Sequence, residues 1–130
     1  MSRLENGQGD DALLDSLLEA VAVLERIRDS ADGLVADANV LLAQRREGRP
    51  WEEILRDEPA PGVSVVFADR ADALSGASSR LRRAQVDALY RRGVPMHRIG
   101  SLLGITRQRV AVLLKATREE EDGRVGGTPR

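Results

Sequence analysis

The side chains of this sequence best suited to chemistry are cations and amides gathered late in the chain: His97, Arg98, Arg107, Gln108, Arg109 and Lys115. Their chemistry is recognition, not catalysis. Arginine and glutamine present forked hydrogen-bonding groups that match base-pair edges, and small apolar side chains suit a thymine methyl group. Val110, Leu113 and Leu114 recur at three- and four-residue spacing and hold one side of a helix against a core. Arg107, Gln108, Ala111, Val112 and Lys115 are left on the outer side, together with Arg109. Such a face can enter a major groove.

The elements that must position these groups lie between Gly93 and Lys115. Gly93 and Pro95 end one helix and open the next, because glycine accepts a left-handed C-cap and proline suits a first helical position. Ile99, Leu102 and Leu103 give that short helix an apolar face. Gly104 breaks it where the chain must turn sharply at positive φ. Ile105 buries in the corner, and the Thr106 hydroxyl caps the second helix. Gly100 is expected where the two helices cross. A preceding helix should support the pair from below with Val86, Leu89 and Tyr90. Arg82, Arg83, Arg91 and Arg92 on that support, with His97, Arg98 and Arg109, are the candidates for phosphate contact. Taken singly, each is ordinarily a solvated cation.

This run resembles the C-terminal promoter-reading helix-turn-helix of bacterial sigma factors and related regulators. Ile99-Gly100, Gly104-Ile105-Thr106-Arg107, Arg109-Val110 and Leu113 carry the resemblance, which covers residues 80–118 only. The rest of the chain shows no core-promoter domain of a sigma factor. The resemblance implies that the start of the second helix reads bases. Thr106, Arg107, Gln108 and Lys115 fall on those positions, Ala111 and Val112 on the base-facing side, and Ile99, Gly104 and Val110 on structural ones. Helices separated by a glycine turn also occur in ordinary helical cores and in protein-interaction modules.

The charge distribution points the same way. The net charge of −1 over 130 residues hides a division. Residues 1–79 hold eight Arg against sixteen Asp and Glu. Residues 80–118 hold ten Arg and Lys against Asp87 alone, and residues 119–130 hold four acids and two Arg. Clustered cations release counterions from a phosphate backbone, and an acidic remainder discourages wrapping of DNA around the whole protein. Arginine supplies nineteen of the twenty cations, a bias that fits a high-GC bacterial coding sequence.

The remainder of the chain reads as all-α, with long heptad-patterned helices of bundle or coiled-coil type joined to the C-terminal helix-turn-helix. Residues 1–9 are expected to be disordered. A helix from about Asp11 to Arg46 carries Leu13, Leu17, Ala20, Leu24, Ile27, Ala31, Leu34, Ala38 and Leu41 at alternating intervals of four and three, a heptad seam. Leu14, Leu18, Val21, Val35 and Leu42 form a second stripe, which suits a bundle better than a two-stranded zipper. Asp32-Gly33 is a turn signal, but the heptad phase survives it and favours one continuous helix. Gly48 ends this helix and Pro50 opens a short one in which Trp51, Ile54 and Leu55 face inward, with Trp51 as packing anchor. Pro59 to Gly62 is a linker. The next helix, from Val63 or Ser64 to Arg92, continues a heptad through Val63, Phe67, Leu74, Ala77, Leu81, Ala84 and Ala88, with a soft point at Gly76. The domains expected are an acidic long-helix module over residues 10–79, the basic domain over 80–118 and a disordered acidic, Gly-rich tail over 119–130.

Other chemistries find little support. There is no Cys, so neither a disulfide framework nor a thiolate metal site is available, and one His makes no metal site alone. Phosphate-binding GxxxxGK cannot occur, since the one lysine is Lys115. Glu52-Glu53 and Asp57-Glu58 lie on a solvated helix face. Three aromatic residues are too few for a single-strand stacking platform. No enzyme and no cofactor are expected. The absence of a long apolar run and of an apolar leader core leads to the expectation of no membrane partner and a cytoplasmic, nucleoid-associated protein.

The function expected is a sequence-specific, double-stranded DNA-binding transcriptional regulator. It is expected to act as a homodimer through residues 13–42, because pairing two chains closes the second stripe and sets two basic domains on one axis. Alternatively, Trp51, Phe67 and the helix from Val63 cover that stripe within one chain. Two other functions stay open: an interaction factor whose acidic helices bind a partner such as transcription machinery, and a nucleoid-type binder of low specificity.

Overall fold

The computed structural model describes residues 3–126, with side chains from Gly9 to Asp122. Among them are five helices and no strand: α1 (Arg3–Arg46), α2 (Trp51–Asp57), α3 (Val63–Arg91), α4 (Met96–Leu103) and α5 (Arg107–Gly126). No helix among the described residues is long and apolar enough to cross a membrane. The chain divides into two compact units, residues 1–19 with 77–130, and residues 20–76.

In the unit of residues 20–76, α1 is continuous through Asp32 and Gly33. Its leucine- and alanine-rich sequence contains no proline, and Gly33, the one glycine of α1 within this unit, costs only about 1 kcal/mol. The chain leaves α1 through paired bonds, Gly48 N–H to the Arg45 carbonyl (2.9 Å) and Arg49 N–H to that of Gln44 (3.2 Å). Pro50 opens α2, with Glu52 and Glu53 in its positive first turn. Arg49 ties the corner together by donating to Gln44 Oε1 (2.7 Å) and pairing with Asp57. The Glu58 carboxylate accepts the Val63 N–H (2.7 Å) and so caps α3.

Three expectations for this unit need correction. The seam of α1 runs through Ala20, Val23, Ile27, Ala31, Leu34, Ala38 and Leu41, with Val23 buried and Leu24 exposed. Position 23 lies about 100° around the helix from position 24, and both are apolar, so packing alone chose between them. On α3 the inner positions are Val63, Val66, Arg70 and Ala73, whereas Phe67 and Leu74 face solvent. Trp51 is exposed, with the Arg45 guanidinium 5.9 Å from its ring centroid, and Ile54 is the buried anchor of α2. In a seven-residue helix one position points inward, and a compact aliphatic side chain occupies it. The second stripe, Leu14, Leu18, Val21, Val35 and Leu42, is exposed throughout. Trp51 and Phe67, themselves in solvent, do not cover it.

The other unit is built on α3 beyond Gly76, α4 and α5, with the start of α1 against α3. No break interrupts α3 at Gly76. Val86, Ile99, Val110, Leu113 and Leu114 form a closed core, with Leu89, Val94, Met96, Leu103 and Ile105 around it. Tyr90, expected beneath the pair, is exposed at the rim, where the Arg118 guanidinium lies 5.7 Å from its ring centroid. Helix α1 starts at Arg3, well before the expected Asp11, and α5 runs to Gly126 where a tail was expected from Glu119. Gly9 is buried near Ala88 and Arg91, and Asp10 pairs with Arg92. Residues 10–19 thus join this unit, not the acidic module. Residues 1–2 and 127–130 of the two expected disordered ends lie outside the described residues.

Candidate nucleic-acid interface

The turn between α4 and α5 is fixed by local chemistry. Gly104 has φ +69° and ψ +32°, a left-handed conformation that costs glycine nothing and a β-branched residue a great deal. It lets the Gly104 and Ile105 N–H groups both donate to the Gly100 carbonyl, the latter at 2.9 Å. A Cβ on Gly100 would stand 2.6 Å from the Ile105 carbonyl oxygen. The need for a small residue there comes from the turn itself and not from the helix crossing expected. Thr106 Oγ1 then accepts the Arg109 N–H at 3.0 Å, capping α5. That bond gives Thr106, one of the expected base-reading residues, a structural task. Before α4, Gly93 N–H bonds the Tyr90 carbonyl and Val94 N–H that of Leu89, so α3 closes on a Schellman motif.

With Val110, Leu113 and Leu114 turned inward, α5 presents Arg107, Gln108, Arg109, Ala111, Val112 and Lys115 outward, all exposed. The side chains of Arg107, Gln108 and Arg109 make no hydrogen bond or ion pair among the described residues, and neither do those of His97 and Arg98 on α4. Lys115 meets Glu119 only at 4.0 Å, both largely in solvent. Leu102, expected in the core, is 60% exposed. Ile99 and Leu103 lie four apart and align inward, which leaves Leu102 about 100° off that face.

The arginines of α3, and Arg92 just beyond it, are differently placed. Arg82 donates to the Leu103 carbonyl at 2.9 Å and closes the end of α4. Arg83 pairs with Glu120 at 3.1 Å. Arg91 pairs with Asp87 at 2.9 Å and Glu121 at 3.0 Å. Arg92 pairs with Asp10, and Arg80 with Glu19. The hydrogen bond from Arg80 holds the Glu19 carboxyl below its usual range, and the same bond raises Arg80. Partial burial lowers Arg91, but the bonds and charges of Asp87 and Glu121 together lift it. The bond to Asp10 raises Arg92. Of the seven residues expected to contact phosphate, Arg82, Arg83, Arg91 and Arg92 are therefore internal ties, and His97, Arg98 and Arg109 remain available. Asp87 is four positions from Arg91, but the other acids lie far off in sequence, 30 positions from Arg91 in the case of Glu121 and 82 from Arg92 in the case of Asp10. A local charge balance does not reveal them. Set against protein-family models, curated proteins and solved structures, the chain finds no match in any of the three.

Proposed function

We propose that this chain is a sequence-specific, double-stranded DNA-binding regulator of transcription. It acts as a homodimer associated with the nucleoid, through a helix-turn-helix formed by α4, the turn at Gly104 and α5. One observation carries the reading. While four arginines of α3, and Arg92 just beyond it, have partners within the chain, the side chains of Arg98, Arg107, Gln108 and Arg109 around the start of α5 have none among the described residues. Arginine side chains held in solvent with no partner, beside an amide and a small apolar patch of Ala111 and Val112, are complementary to phosphates and base edges.

Arg107 and Gln108 read bases, while Arg98 and Arg109 hold the backbone. Selection of binding sites from random duplexes tests this. Arg107→Ala and Gln108→Ala should each relax preference at particular base pairs, by about 1–3 kcal/mol where the contact is bidentate. Unchanged preference in both variants would contradict the assignment. A second reading has Leu102 in its favour. An exposed leucine on α4 beside Arg98 suits a protein surface, such as a component of the transcription machinery, better than it suits DNA. A salt titration with mixed-sequence duplex separates the two, since the protein-binding reading expects no association at low salt.

A further inference from the structure

Residues 20–76 contain two buried hydrophobic side chains, Val23 and Ile54. That is little core for a unit of this size. Between α1 and α3 this unit has an open groove of about 410 Å³, in which Ile27, Leu34 and Val35 face Phe67, Ala71 and Leu74. Its only polar groups, Ser30 and Arg70, are bonded to one another at 3.3 Å. Phe67 is 69% exposed at the groove's edge, and Val35 and Leu74 are exposed beside it. The groove joins the stripe of Val21, Leu24 and Leu42 on α1 into one apolar face two helices wide.

We propose that this face is covered by the same face of a second copy of the chain, with the two α1 helices antiparallel across a two-fold axis near Arg28 and Ala71. The inference rests on the two-copy part of the function proposed above. Three features favour a second copy over another partner. A two-fold interface must be self-complementary. Val21 and Val35 lie seven residues either side of Arg28, so an antiparallel pairing sets Val21 of one copy against Val35 of the other. On α3, Phe67 and Leu74 stand on either side of Ala71, and the Arg70–Ser30 bond holds this stretch level with the middle of α1. The small Ala71 allows close approach at the axis, and a protruding phenyl and an open groove on one surface can fill each other. Charge does not oppose it: Arg28, the cation at the axis, is paired with Asp29 of its own chain at 3.1 Å, and Glu25 and Asp32 lie within a turn of it. Finally, from Val21 to Leu42 the face is about 30 Å long, and two helices make it about 20 Å wide. The resulting 600 Å² or so in projection approaches the roughly 800 Å² each partner contributes to a stable interface. Stacking two such helical pairs gives a four-helix bundle.

The test uses the full chain without DNA, so that failure here leaves the DNA reading standing. Light scattering and sedimentation at micromolar concentration should give twice the 14.2 kDa chain mass. Phe67→Glu, at a position already in solvent in the single chain, should keep its helical circular dichroism. It should raise the dimer dissociation constant about 30-fold or more, as expected when a central aromatic anchor is lost. Because the chain has no Cys, Ala71→Cys should give a disulfide-linked dimer on mild oxidation. Val40→Cys, exposed on the opposite side of α1, should give far less. A monomeric wild type at tens of micromolar, a Phe67→Glu variant that dimerises as well as wild type, or equal cross-linking through positions 40 and 71 would each overturn the proposal. The first result would leave the groove to a small apolar ligand or a different protein.

Discussion

In residues 77–122 most large aliphatic side chains converge, with Leu102 and Val112 as exceptions: Val86, Ile99 and Val110 are fully buried, and Leu113 and Leu114 nearly so. In residues 20–76 the same kinds of side chain diverge, with Val21, Leu24, Val35, Leu42, Phe67 and Leu74 all in solvent. Three helices joined by short turns can enclose a core. Two long antiparallel helices cannot, whatever their composition, because each has a flank that its neighbour does not reach. The difference is one of geometry more than of hydrophobicity. It separates a unit that is complete in one chain from a unit whose apolar surface is directed outward.

The sharpest way to break that comparison is to remove one large apolar side chain from each unit. Ile99→Ala should destabilise the C-terminal unit by about 2–5 kcal/mol, the range for a large-to-small change in a closed core. Phe67→Ala, measured at a dilution where chains are single, should stay within about 0.5 kcal/mol of wild type. Denaturant titration of both variants checks this, and equal losses would remove the distinction. Next in size are the two turn glycines. Gly104→Val forces a β-branched residue into the left-handed region and should cost about 1–3 kcal/mol. Gly100→Ala must displace the Ile105 carbonyl and should cost a similar amount, about 1–3 kcal/mol. DNA binding should fall with stability in both. A fully stable Gly104→Val protein would contradict the turn.

Arginines sharpen the comparison from the electrostatic side. Arg98→Ala should weaken binding to all duplexes alike and shallow the salt dependence by about one unit of slope. Arg82→Ala removes the bond to the Leu103 carbonyl, so it should lower the melting temperature and leave the salt slope unchanged. If Arg82→Ala shallowed the slope as much as Arg98→Ala did, the division between internal ties and free cations would be wrong. The smallest expected effect is on acid stability. Glu19 has a lowered pKa in the folded chain, so its pairing with Arg80 stabilises above the unfolded value and is lost as pH falls through the folded one. Melting followed from neutral pH to below about pH 4 should therefore decline less steeply in Glu19→Gln than in wild type. The pair is solvent-exposed, and the difference should be slight.

What could be read in the sequence was what neighbouring residues decide among themselves. Gly104, Thr106 and the spacing of Val110, Leu113 and Leu114 identify the turn, the cap and the inner face of α5, because each acts within four positions of its partner. The all-helical architecture was legible for the same reason. The face of α1 that packs was not, since Val23 and Leu24 are equivalent until α3 is present. Nor were the distant partners of Arg80 on α3 and of Arg92 just beyond it: Glu19 and Arg80 are 61 positions apart, and Asp10 and Arg92 are 82. Counting charges within residues 80–118 therefore overstated the cationic surface. It also hid the contrast on which the assignment of Arg98, Arg107 and Arg109 now depends.

The bonds of Glu120 to Arg83 and of Glu121 to Arg91 have a mechanical consequence for α5. Arg107 and Glu121 are separated by fourteen residues, about 21 Å of rigid helix. If the helix pivots at its capped end near Thr106, a restraint at Glu121 acts on a long lever arm, and holding that end within about 1 Å limits the tilt of the axis to about 3°. Ties this far from the exposed arginines and Gln108 contribute nothing to their contacts. Together with the buried Leu113 and Leu114, they steady the direction in which the front of the helix is aimed.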